Sequence, residues 1–177
     1  MSTSLKALLI MAATLVLLFV LGDRLGLRTG TRDPRTHVLL LDTAAVTSIH
    51  FEDRGAARHD LLLRRTPQGW ERIATHEQDR SPDQQARELL GRFQELKVKR
   101  TMGMILLLGE RYRLTEETRC RITFTLADGR EEALNLGSDT FAPGTARAWT
   151  YVNVPGEKEV YAVEGLLALG LRWPEQE

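Results

Sequence analysis

Arg121-Ile122-Thr123-Phe124-Thr125-Leu126, followed by Ala127-Asp128-Gly129 and then Glu132-Ala133-Leu134-Asn135-Leu136, is the stretch on which the fold reading turns. Ile122, Phe124 and Leu126 alternate with polar residues in period two, and Asp-Gly is a turn pair, so the stretch predicts an antiparallel β-hairpin. The same signature recurs on both sides. Val46 to Glu52 alternates with Val46, Ile49 and Phe51 as inward candidates, and Asp53 to Arg58 reads as a turn. Leu61–Thr66, the connection Pro67-Gln68-Gly69 and Trp70–Ile73 complete an N-terminal meander. Downstream, Gly137 to Ala148 reads as a loop. Thr150–Val154 and Val160–Val163 then form another hairpin around Pro155 to Lys158. A short apolar segment, Leu166–Trp173, closes the domain.

One helix interrupts the strands. Ser81 is a good N-cap, Pro82 suits the first helical position, and Gln84 completes a capping box. Ala86, Leu89, Leu90, Phe93 and Leu96 fall on one helical face, and Lys97, Lys99 and Arg100 would complement the C-terminal end of the dipole. The spacing therefore predicts a helix from Pro82 to about Lys99. The expected order is β-β-β-α-β-β-β-β: an α+β domain in which an antiparallel sheet packs on one main amphipathic helix.

Upstream of this domain, residues 7–22 form an apolar run of sixteen residues between Lys6 and Asp23-Arg24. As a helix it spans ~24 Å, and flanking snorkelling side chains extend its reach towards the ~30 Å of a hydrocarbon core. Its strongly apolar residues contribute roughly −3 to −6 kcal/mol to insertion. A cleavable signal peptide begins in the same way. This run exceeds the usual apolar core of such a peptide and lacks a polar segment before a cut, so the expectation is a retained signal anchor. The organisation is then a tail at 1–6, a transmembrane helix at 7–22, a linker at 23–37, an extracytoplasmic domain at 38–173 and a tail at 174–177. Arg24, Arg28, Arg32 and Arg35 after the span argue for a cytoplasmic domain by charge count. Long domains translocate largely regardless of charge, and export is the expectation adopted.

Composition narrows the function. The 177 residues carry 24 basic and 24 acidic side chains, and such a balance argues against nucleic acid as a partner. The single cysteine, Cys120, lies in strand-like sequence, where a small strand residue is the expected role. Phosphate-binding loops, dinucleotide glycine patterns, zinc-binding helices and nucleophile elbows are missing from the sequence. His50 and His59 flank the first hairpin at a spacing too loose to imply a metal, and alternation turns His50 to solvent. Glu116-Glu117 and Glu131-Glu132 are neighbours whose side chains diverge on a strand. No catalytic, cofactor-binding or metal residue is assigned, and the expectation is a protein that is not an enzyme. Trp149 and Tyr151 fall on one sheet face, with Phe141 in the preceding loop. Core packing is the ordinary reading of such a row; a partner-docking surface formed by Phe141, Trp149 and Tyr151 is the functional one.

Several short patterns, in order, resemble the bacterial domain-of-unknown-function family 4340. They are Gln68-Gly69-Trp70 with Ile73, Ser81-Pro82-Asp83-Gln84, Leu89-Leu90, Leu96 with Lys99-Arg100, and Tyr112-Arg113-Leu114 where the family commonly has Tyr-Gly-Leu. Leu134-Asn135-Leu136-Gly137, Tyr151-Val152 and Val160-Tyr161-Ala162-Val163 complete the set. The resemblance implies a bacterial inner-membrane location with a periplasmic domain, some relatives accompanying gliding-motility-type ABC transporters. It carries no catalytic residues. The expected function is an accessory or scaffold subunit, anchored in the bilayer through residues 7–22 and contacting an envelope or transporter protein. The alternative is a tethered periplasmic module that binds a solute or lipid.

Overall fold

The computed structural model describes residues 35–54, 60–73, 81–141 and 147–168, together with Met11 and Thr14. The chain divides into two compact units, Met1–Arg35 and Thr36–Glu177. In the first unit Met11 and Thr14 are helical; the rest of the expected span and linker, residues 7–10, 12–13 and 15–34, lies outside the described residues. Among the described residues no helix is long and apolar enough to cross a membrane.

The second unit is mainly β. Its strands are β1 (His37–Leu40), β2 (Val46–Asp53), β3 (Asp60–Thr66), β4 (Gly69–Arg72), β5 (Glu95–Met104), β6 (Cys120–Leu126), β7 (Glu131–Phe141), β8 (Ala148–Asn153) and β9 (Glu159–Glu164). Helix α1 (Pro82–Phe93) lies between β4 and β5, and the single turn α2 (Ile105–Leu108) follows β5. All pairings are antiparallel, in the order β1-β5-β9-β8-β7-β6-β2-β3-β4.

Chain length forces this sheet to curl. Strands β1 and β2 stand six places apart in the sheet order, which on a flat sheet is ~29 Å at ~4.8 Å per strand. Only residues 41–45 join them, so Leu40 and Val46 are at most ~20 Å apart even in a fully extended chain. Helix α1 makes the same demand. Its N-terminal end is tied to β4, where the Trp70 N–H donates to Asp83 Oδ1 at 2.8 Å, and its C-terminal end runs directly into β5. Twelve helical residues cover ~18 Å, about half the flat distance between those strands. The sheet therefore wraps α1 on a concave face.

That face holds the main core. Val46, Ile49, Phe51, Leu63, Phe93, Ile122, Phe124, Leu134, Leu136 and Val163 are sealed there, and the Phe93 and Phe124 rings sit 5.8 Å apart. Each such side chain contributes roughly 1.5–3 kcal/mol by burial. Cys120 opens β6, the strand position its sequence setting predicted, and is buried among them.

Three expectations need correction. The helix ends at Phe93 rather than Lys99; Leu96 is buried on a strand, and Lys97, Lys99 and Arg100 belong to β5. Pairing with β1 on one side and β9 on the other supplies more backbone hydrogen bonds to 95–104 than one further helical turn would. Second, residues 137–141, read as the start of a loop, are strand, because β7 continues past a register shift between Leu136 and Asp139; residues 142–146 lie outside the described residues. Third, His37–Leu40 is a strand, partly inside the stretch read as linker. The Ser81 cap forms, its hydroxyl accepting from the Gln84 N–H at 3.3 Å. The Gln84 amide donates to Glu88 Oε1 at 3.2 Å.

Candidate docking site

The three aromatic candidates lie where β7, β8 and β9 run side by side. Thr140 pairs with Trp149, and Trp149 with Glu164; Tyr151 pairs with Ala162. Directly paired residues share a face, so Trp149 and Tyr151 both lie on the convex side, as alternation predicted. Phe141 pairs with Ala148 and so belongs to the opposite face. It is 63% exposed at the end of β7.

A smaller apolar cluster decides what the convex aromatics do. Tyr112, Leu114 and Val160 are buried there, with Met102, Ile105, Leu108 and Tyr151 packed around them. The Tyr112 and Tyr151 rings stack with centroids 3.8 Å apart, and the Arg111 guanidinium lies 5.6 Å from the Tyr112 centroid. Burial raises the Tyr151 phenol above its ordinary pKa, and the adjoining Tyr112 adds to the effect. Tyr151 is thus largely committed to internal packing. Trp149 is half-buried, its strand neighbour Glu164 bonded to Lys99 at 2.8 Å. That ammonium holds the Glu164 carboxyl below its usual range.

The 109–115 segment reaches this position through β7. The Ser138 N–H donates to the Tyr112 carbonyl at 2.7 Å, beside the bulge that follows Leu136. Arg113 has φ of 56°, the left-handed conformation a glycine takes readily. The turn therefore forms with arginine in place.

Polar side chains nearby tie strands together. Asn153 donates to the carbonyls of Glu157 and Glu159 at 3.1 and 2.9 Å and accepts from Asn135 at 3.2 Å. On the concave side the Thr150 hydroxyl lies against Asp139 Oδ1 and the Gly165 carbonyl and accepts from the Leu167 N–H at 2.8 Å. These contacts pin the β8–β9 hairpin and the segment after β9.

No protein-family model, curated protein or solved structure matches this chain.

The remaining sequence candidates are placed as follows. His50 Nε2 lies 2.7 Å from Asp60 Oδ1, both on exposed side chains, while His59 lies outside the described residues. Glu116 pairs with Arg119 at 2.6 Å and lies 3.4 Å from Arg54. Among the described residues no group of three or more histidine, cysteine, aspartate or glutamate side chains converges as a metal site. Met102–Leu108 reads in the sequence as an apolar stretch without a role; within it Leu106 and Leu107 are 88% and 73% exposed on α2. The signal was present: five apolar residues without strand alternation, Met104 to Leu108, between Gly103 and Gly109.

Proposed function

We propose that this protein is a non-enzymatic, single-pass accessory or scaffold subunit of a bacterial envelope complex. Its exported domain works by contact with another protein, in a setting that the resemblance to the 4340 family extends to transporter assemblies. The observation that carries this reading is the coupling of a sixteen-residue apolar run to a sheet domain with exposed apolar side chains. Anchoring raises the domain's effective concentration at the membrane, so a modest interface at Phe141, or at Trp149 on the opposite face of the sheet, suffices for a stable association. The solute- or lipid-binding alternative needs an apolar cavity, and the natural place for one is occupied. Ala86, Leu89 and Phe93 of α1 fill the concave face.

Two measurements test the reading. Membranes from cells expressing the full chain are washed with alkaline carbonate; retention in the pellet supports the anchor, and release into the wash overturns it. A photo-crosslinking amino acid replacing Phe141 or Trp149 is expected to give a discrete adduct with a second protein, while one replacing Asp128, on the β6–β7 turn, does not. Absence of an adduct at both aromatic positions sinks the docking surface.

A further inference from the structure

Tyr112 and Tyr151 are distant in sequence and meet face to face in the convex cluster. Their rings stack with centroids 3.8 Å apart and planes 21° from parallel. The two phenols also hydrogen-bond to each other, so the rings overlap with their oxygen ends together. The Cε carbons, which flank each hydroxyl, therefore lie at the same end of the stack. Packing holds the pair in this arrangement. Tyr112 is buried with Leu114 and Val160, and its carbonyl accepts from the Ser138 N–H at 2.7 Å.

The third tyrosine of the chain is set apart. Tyr161 pairs with Val152 and belongs to the concave core, and its hydroxyl donates to Glu157 Oε2 at 3.0 Å. Directly paired residues share a face, so Tyr161 lies across the sheet from the stack.

Stacking of this kind is the geometry from which two phenols couple on oxidation. A tyrosine that loses one electron and its hydroxyl proton becomes a phenoxyl radical, with spin on the oxygen and on ring carbons that include Cε. Two such radicals held face to face join through a Cε–Cε bond. The hydrogens on the joined carbons then move to the oxygens, which restores both hydroxyls and both aromatic rings. In total the pair gives two electrons to two equivalents of a one-electron oxidant and two protons to water. Tyr151 is only partly buried, so a soluble oxidant reaches the stack there. Electron exchange between the stacked rings brings Tyr112 within reach of the second equivalent. The preformed contact replaces the encounter that separate tyrosines would need.

We propose that Tyr112 and Tyr151 are a modification site, joined as an intramolecular dityrosine by one-electron oxidants of the peroxidase or photogenerated-metal class. The bond fastens the 109–115 segment to β8 and constrains the unfolded chain as a disulfide does, in a chain whose single cysteine permits no internal disulfide. Only the folded domain and an oxidant are needed, so anchoring plays no part.

The test uses the full chain, kept dilute in detergent and oxidised by a light-activated ruthenium tris-bipyridyl complex with persulfate. Monomer is separated from covalent dimer on a denaturing gel and cleaved after glutamate, which puts the three tyrosines on separate peptides. The expected result is dityrosine fluorescence in the monomer band and a linked pair of peptides, carrying Tyr112 and Tyr151, lighter by two hydrogen atoms than their sum. Tyr151→Phe is expected to lose the monomer signal to background, and Tyr161→Phe to keep it. The peptide assignment is made on the wild-type chain and does not depend on how either variant folds. Dityrosine confined to covalent dimers, or a linked peptide containing Tyr161, overturns the proposal. So does an equal yield of the 112–151 link from chain unfolded in urea, because the stack would then contribute nothing.

Discussion

The carbonyl oxygen of Tyr112 occupies the space into which a Cβ on Gly137 would project, and the same oxygen accepts from the Ser138 N–H. A backbone acceptor thus replaces a side chain at the point where β7 shifts register, and the convex cluster closes over it. Because the obstruction is backbone rather than the end of a flexible side chain, it cannot swing aside. Gly137→Ala is expected to destabilise the domain by about 1–3 kcal/mol, the usual range for overpacking. An unchanged urea midpoint would show that the 109–115 segment yields freely.

Arg113 offers the opposite opportunity. Its φ of 56° carries the left-handed penalty of a residue with a Cβ, roughly 1–2 kcal/mol, partly offset by the greater entropy glycine loses on folding. Arg113→Gly is expected to raise stability by ~0.5–1 kcal/mol. A fall in melting temperature would mean that the arginine side chain holds more than its backbone conformation costs.

The two buried asparagines are not equivalent. Asn153 serves two backbone carbonyls and one side chain, whereas Asn135 donates once to Asn153 and leaves its own Oδ1 without a protein partner. Asn135→Leu therefore exchanges one unpaired acceptor for another and is expected to change stability little. Asn153→Leu strands two carbonyls and is expected to cost ~2–4 kcal/mol. Comparable losses in paired denaturation curves would refute this division.

Alkaline pH acts on the stacked tyrosines. The Tyr151 pKa is raised above its ordinary 10.0, first by burial and then by Tyr112, against the opposing charges of Arg111 and Arg100. The fold favours the neutral phenol, so the contribution is complete below the unfolded-state pKa and is lost as pH rises through the folded one. The denaturation midpoint should fall as pH climbs past ~10, and Tyr151→Phe should flatten that fall. Equal slopes for wild type and variant would exclude Tyr151 as the group responsible.

Local sequence carries much of the domain. Alternation in Ile122, Phe124 and Leu126 and the Asp-Gly turn define the central hairpin, because a strand with one buried face writes that face into every second residue. Ser81 and Pro82 mark where α1 begins, since capping is a contact between residues three apart. The pairing of Trp149 with Tyr151 on one face is legible for the same reason: it depends only on the pleat.

Tertiary structure decided the rest. Phe93 and Leu96 keep helical spacing, so periodicity and the basic residues after them run α1 about six residues too far, to Lys99; the open backbone groups of β1 and β9 draw Glu95–Met104 into the sheet instead. Whether Tyr151 faces solvent or packs depends on Tyr112, which no pattern around Tyr151 specifies. Phe141 changes faces relative to Trp149 through a pairing across β7 and β8. Side-chain spacing reports a residue's direction along its own strand. Which residues cover it, and where a helix gives way to a strand, are set by hydrogen bonds and packing between segments far apart in the chain.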